Sequence, residues 1–173
     1  MKQTIFFFLA ILCSFTLFSQ ERHDSHSMYD KYESAGRHHK PAYFVIDNTV
    51  YFQGRVVDGA SASSFKILRD GYAKDNWSVY YCGHSVSGAS TMSFKVLGYG
   101  YAKDDWNVYY NGVKIDGASA NSFTVLSDWY ACDNWNVYYD GSPIPGASVN
   151  SFKVLRDGYA RDNWNTYYCG RKI

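Results

Sequence analysis

Four aspartates, Asp75, Asp104, Asp133 and Asp162, stand 29 residues apart, each two positions ahead of a tryptophan: Trp77, Trp106, Trp135 and Trp164. Carboxylates can work as general acid and base where different surroundings drive their pKa values apart, but a periodic chain gives these four similar surroundings. Their expected role is turn chemistry, with each carboxylate bonding backbone N–H groups beside its tryptophan. Five histidines could in principle ligate zinc or copper. His23, His26, His38 and His39 crowd one polar stretch and His84 stands apart in a hairpin, with no paired cysteine or carboxylate to complete a ligand spacing. Solvated linker is the expected role of the first four, so neither a metal centre nor a cofactor is expected.

Cys82 and Cys169 fall at equivalent hairpin positions three units apart and are a possible disulfide. In an open array their Cα atoms stay beyond the ~7 Å that a bridge allows, so a bridge would mark a closed ring. Cys132 stands where neighbouring units carry Lys or Arg. Nucleophile elbows, phosphate loops and His-Glu-x-x-His are all missing from the sequence, and an enzyme is not expected. Catalysis would have to sit in the unit that departs most from the rest, around Asp128, Trp129 and Cys132.

The aromatic residues are the other candidates for chemistry, since stacked rings can hold sugar rings or aromatic ligands along a groove. Recurrence once per unit argues instead for packing, because every interface in a stacked array needs the same core. Trp129 is the exception: it occupies the place held by Gly71, Gly100 and Gly158, which makes it the strongest single candidate for an exposed contact. Trp77, Trp106, Trp135 and Trp164 complete the set of possible ligand contacts.

The elements that must position these residues follow from the same period. Tyr43, Tyr72, Tyr101, Tyr130 and Tyr159 open successive units, and Tyr51, Tyr80, Tyr109, Tyr138 and Tyr167 recur eight positions later. Full units span residues 43–71, 72–100, 101–129 and 130–158, and a half unit, 159–173, closes the series. A fixed period of this length marks a stack in which each unit covers its neighbour's apolar face, and a lone unit should not fold.

Within a unit, Asn107-Val108-Tyr109-Tyr110 is β-branched and aromatic and runs into Asn111-Gly112, a two-residue hairpin signal repeated at Asp140-Gly141. Residues 101–104 should pair back onto 108–110 through a turn at Asp105-Trp106, and 123–126 should add a strand after the Gly-Ala-Ser-x-x-Ser turn. Alternation places Val108 and Tyr110 on one sheet face and Tyr109 on the other. The expected fold is all-β: short antiparallel strands and hairpins in an open solenoid or meander array. A closed ring or propeller is the weaker alternative, because four-stranded blades run nearer 40 residues and residues 159–173 are surplus to a ring.

Ahead of the repeats, Lys2, the apolar run Ile5–Phe18 and Ser19 read as an export signal, with cleavage expected between Ser19 and Gln20. The run falls short of the ~20 residues of a membrane-spanning helix, and the mature chain carries no other candidate. Leu12 before Cys13 is too bulky for a lipid-attachment site. Residues 20–42 read as a polar, His-rich, flexible leader. Loss of Lys2 with the signal leaves 16 basic and 16 acidic residues, a neutral balance that argues against nucleic-acid partners.

The string Tyr-Ala-Lys-Asp-Asn-Trp-Asn-Val-Tyr-Tyr resembles the bacterial DKNYY family. Asp75, Asp104, Asp133 and Asp162 match its aspartate, and Tyr80-Tyr81, Tyr109-Tyr110, Tyr138-Tyr139 and Tyr167-Tyr168 match its tyrosine pair. The family's lysine is here Asn76, Asp105, Asn134 or Asn163, and a tryptophan replaces its next polar residue. The resemblance spans residues 43–173 and implies a bacterial repeat protein with no assigned activity. The expected role is a non-catalytic scaffold or protein-interaction module of the cell envelope, periplasmic, cell-surface or extracellular. The alternative is a carbohydrate-binding module using the Tyr and Trp rows, so the partner is a protein or a cell-surface glycan.

Overall fold

A computed structural model describes residues 43–127 and 129–173. The expected export signal and the leader with its histidines lie outside the described residues, as does Asp128. Five antiparallel sheets follow one another along the chain. The first holds β1 (Tyr43–Ile46), β2 (Thr49–Phe52) and β3 (Arg55–Val56), and the second β4 (Lys66–Ile67), β5 (Tyr72–Lys74), β6 (Val79–Tyr81) and β7 (His84–Ser85). The third holds β8 (Lys95–Gly98), β9 (Tyr101–Lys103), β10 (Val108–Tyr110) and β11 (Val113–Lys114). The fourth holds β12 (Thr124–Ser127), β13 (Tyr130–Cys132), β14 (Val137–Tyr139) and β15 (Ser142–Pro143). The fifth holds β16 (Lys153–Val154), β17 (Tyr159–Arg161), β18 (Thr166–Tyr168) and β19 (Arg171–Lys172). Each sheet is a simple meander, and the second to fifth straddle a boundary between sequence units: Lys66–Ile67 closes one unit yet pairs with Tyr72–Lys74 of the next.

The expected hairpins are present. Lys103 faces Val108 and Tyr101 faces Tyr110 across the Asp-Trp turn, while Tyr110 faces Val113 across Asn111-Gly112. Asn111 and Gly112 both take positive φ, +47° and +77°, as a primed turn demands. Glycine is required there for a second reason. A Cβ on Gly112 would lie 2.7 Å from the Tyr81 Cβ of the preceding sheet, and Gly83, Gly141 and Gly170 meet Phe52, Tyr110 and Tyr139 in the same way. The tight turn is therefore a docking surface as well as a reversal of the chain.

Each of the three inner sheets buries both faces. The forward face of the second sheet, with Tyr72, Val79 and Tyr81, packs on the rear face of the third, with Val96, Ala102 and Tyr109. Phe94 wedges between Tyr72 and Tyr109, ring centroids 5.4 and 5.8 Å away. The same cluster recurs at the other interfaces, and each large buried side chain contributes ~2 kcal/mol. A hydroxyl bolts every interface. Tyr72 Oη donates to the Gly100 carbonyl at 3.0 Å and accepts from the Gly112 N–H at 2.9 Å. Tyr43, Tyr101 and Tyr130 repeat both bonds one sheet further along in each case.

The array is open, without a closed barrel, and its two outer faces differ. On the rear of the first sheet Phe44 takes the place of the buried alanines 73, 102, 131 and 160, and it stacks on Tyr51 at 5.2 Å. The closing half unit covers the fourth sheet with Ala160 and Tyr167, yet leaves its own forward face in solvent: Tyr159 is 42% exposed, where Tyr130 is 0%.

Candidate binding surface

The aromatic residues divide by position in the unit. Tyrosines in strands fill the interfaces, whereas Trp77, Trp106, Trp135 and Trp164 are 77–83% exposed. The expectation that the tryptophans share the core is corrected here. They sit in the turn between the second and third strands of a sheet, beyond the reach of the next sheet's rear face, and so no neighbour covers them. Among the described residues, none of these four indoles contacts another aromatic ring.

Each tryptophan is fixed by the buried aspartate two positions before it. Asp104 Oδ1 accepts the N–H groups of Trp106 at 2.8 Å and Asn107 at 2.7 Å. Its Oδ2 accepts the Ser90 N–H at 2.9 Å and the Tyr109 hydroxyl at 3.1 Å. Asp75, Asp133 and Asp162 make the same four bonds to the corresponding groups. Burial pushes these carboxyls up, but the three backbone N–H donors and the tyrosine hydroxyl outweigh it and hold all four below the ordinary carboxylate value. The Tyr109 and Tyr138 hydroxyls, desolvated and facing the charged Asp104 and Asp133, are pushed up to about 12. Four donors occupy the carboxylate's lone-pair sites, so it holds the turn charged and rigid and has little capacity to take a substrate proton.

Consecutive tryptophan turns are tied to one another through the loop between their sheets. Thr91 Oγ1 donates to the Asn76 carbonyl and Lys74 Nζ to the Thr91 carbonyl, fastening the loop to the Trp77 turn. On the other side the Ser90 N–H reaches Asp104 and the Asp105 N–H reaches Ser93 Oγ, fastening it to the Trp106 turn. The loop at 119–122 joins the turns of Trp106 and Trp135 through Lys103, Asp133 and Asn134. The loop at 148–151 is fastened to the Trp164 turn through Asp162 and Asn163, and because the tyrosine bonds recur at every interface the four indoles form a row along one edge of the stack. The sequence marks this loop as the Gly-Ala-Ser-x-x-Ser turn; that its last serine, at positions 64, 93, 122 and 151, binds the next turn is visible only in the structure.

Trp129 is placed differently. It lies in the β12–β13 turn, half-buried, with φ +64°, where its counterparts are glycines. Its ring meets the edge of Tyr99 at 5.8 Å, and its carbonyl accepts the Tyr101 hydroxyl. Tyr99, at φ +51°, keeps the left-handed backbone of its counterparts Asp70 and Asp157 but not their residue type, so two departures from the repeat meet on one surface. Cys132, half-buried in β13, has its thiol pushed up by burial and by the charge of Asp133, the reverse of what an activated nucleophile needs. The thiols of Cys82 and Cys169 are not joined to one another. His84 is exposed in β7, and among the described residues no three His, Cys, Asp or Glu side chains gather as metal ligands. Among those residues, too, no helix is long and apolar enough to cross a membrane.

In comparison with known proteins, the model of the DKNYY family matches residues 43–171. No curated protein and no solved structure matches the chain.

Proposed function

We propose, from the premise that the chain belongs to the DKNYY family, that it is an exported, non-catalytic binding scaffold of the bacterial cell envelope that holds its ligand on the tryptophan row. The observation that carries the reading is the exposure of Trp77, Trp106, Trp135 and Trp164 on turns clamped by buried aspartates. An exposed indole gains little for folding, and a fixed one loses little entropy on contact, so a rigid row of them is suited to binding. Absence of catalysis rests on the occupied lone pairs of the aspartates and on the raised thiol of Cys132. Export rests on Lys2, the apolar run Ile5–Phe18 and Ser19.

Co-sedimentation with isolated bacterial envelopes tests the role. The full chain should pellet with them, and a variant with all four tryptophans changed to alanine should stay in solution while keeping its melting temperature. Equal pelleting of both proteins would remove the row from the function. The carbohydrate reading has an observation of its own in its favour: the buried tyrosines leave the tryptophans as the aromatic surface available along the edge.

A further inference from the structure

We infer that the ligand of the row is a linear, uncharged glycan lying along the edge of the stack, one indole beneath it per sheet. The inference rests on the binding role proposed above and names its ligand class. Three observations lead to it.

The first is the alternation of the surface. Between Trp77 and Trp106, Trp106 and Trp135, and Trp135 and Trp164, the exposed residues of the joining loops are Met92, Asn121 and Asn150. The residue immediately before each tryptophan is Asn76, Asp105, Asn134 or Asn163, also exposed. Each indole is thus an isolated apolar face in a mostly polar strip. A protein partner gains most from a contiguous, fully desolvated apolar centre, which this strip does not offer. A sugar chain has the complementary pattern. Its ring faces carry C–H groups that stack on an indole, and its hydroxyls point sideways, where amides and serines can bond them.

The second observation is spacing. Sheets stacked face to face lie ~10 Å apart, about twice the length of one sugar ring in an extended chain. Equivalent bonds repeat at every interface, from Tyr43, Tyr72, Tyr101 and Tyr130 to the next sheet, so the same displacement carries each tryptophan to the next. A polymer with a two-sugar repeat can present the same ring face at each step. The third is charge: the mature chain is formally balanced, and beside the one acid, Asp105, the lysines of the strip, Lys74 and Lys103, stand one per sheet with their ammonium groups on the Thr91 and Ala120 carbonyls, which makes no cluster of cations to attract a polyanion.

A row of weak, identical sites makes a specific signature, because each further site engaged by one chain acts at high effective concentration. The test is calorimetric titration of the full chain with β-1,4-linked N-acetylglucosamine oligomers from dimer to octamer, after a screen on a broad neutral-glycan array. Affinity should climb with length as further tryptophans are reached. Trp106→Ala should weaken the longest oligomer by about two- to tenfold, the range of one aromatic contact, and Trp106→Tyr should restore much of the loss. The dimer should respond far less to that single change. Binding of no glycan on the array, or binding independent of length, overturns the inference. If envelope binding is still lost in the four-alanine variant while every glycan is silent, the neutral-glycan inference falls and the scaffold role stands. If envelope binding survives in that variant, both fall.

Discussion

The tyrosine ladder and the tryptophan row share one period and have opposite fates. Tyr72, Tyr101 and Tyr130 are fully buried between sheets, while Trp77, Trp106 and Trp135 project into solvent five residues further along the chain. The tyrosines lie in strands, where a side chain leaves the sheet perpendicular to its plane and meets the next sheet. The tryptophans lie in turns at the edge of the sheet, where the stack ends. Periodicity therefore identifies residues that every unit needs, without separating those that build the interface from those that the interface holds up.

The sharpest way to break the comparison is to cut one member of each set. Tyr101→Ala removes a buried ring and both bolts to the fourth sheet, and should cost about 3–5 kcal/mol by chemical denaturation. Tyr159→Ala, at the equivalent place on the open end, should cost well under half as much, since no described sheet covers it. Equal losses would mean that the interface is not what the buried tyrosines stabilise.

Next in size is the hydroxyl alone. Tyr101→Phe keeps the ring but strands the Gly141 N–H and takes one of the donors from the Trp129 carbonyl, which also accepts the Asp140 N–H, and should cost about 1–3 kcal/mol.

The clamp that holds the tryptophans has a pH signature. In the unfolded chain the carboxyls of Asp75, Asp104 and Asp133 take protons near their ordinary value, but in the fold they do so only at lower pH. Their stabilisation is complete above the ordinary value and drains away as pH falls through it toward the lowered one. Melting temperature should drop below about pH 4, and Asp104→Asn should flatten that drop. The tyrosine partners act at the other extreme. Tyr109 and Tyr138 ionise near 10 when unfolded and at about 12 in the fold, so stability is full below pH 10 and is lost as pH rises toward 12. Absorbance at 295 nm should show two tyrosine classes, the later one ionising with unfolding.

The smallest effects belong to the exposed indoles. Trp106→Ala should move stability by no more than about 0.5 kcal/mol. Trp129→Gly restores the repeat and relieves a left-handed residue, worth ~1 kcal/mol, while losing an aromatic contact of similar size to Tyr99. Its melting temperature should therefore stay within a few degrees of the parent.

Much of this was legible in the residues. Asn111-Gly112 and Asp140-Gly141 announced hairpins because few side chains accept two successive positive φ values. The four aspartates stand at turn-ligand positions, and each binds two N–H groups of its own turn. Exposure was not legible. Trp129, singled out by its departure from glycine, is half-buried against Tyr99, while the regular tryptophans face solvent. Local structure places these residues in turns, but whether a neighbouring sheet or ring covers them is decided by the stacking.

By itself, then, the sequence determined the period, the strands, the turns and the need of each unit for a neighbour, because these depend on backbone preferences and alternation within a few residues. Only the tertiary structure decided which recurring rings another sheet would cover, how the Ser90–Ser93 loop would tie one tryptophan turn to the next, and that the fifth sheet would leave Tyr159 in solvent. Those outcomes depend on how one sheet lies on another, a relation between residues some 30 positions apart that no local preference encodes.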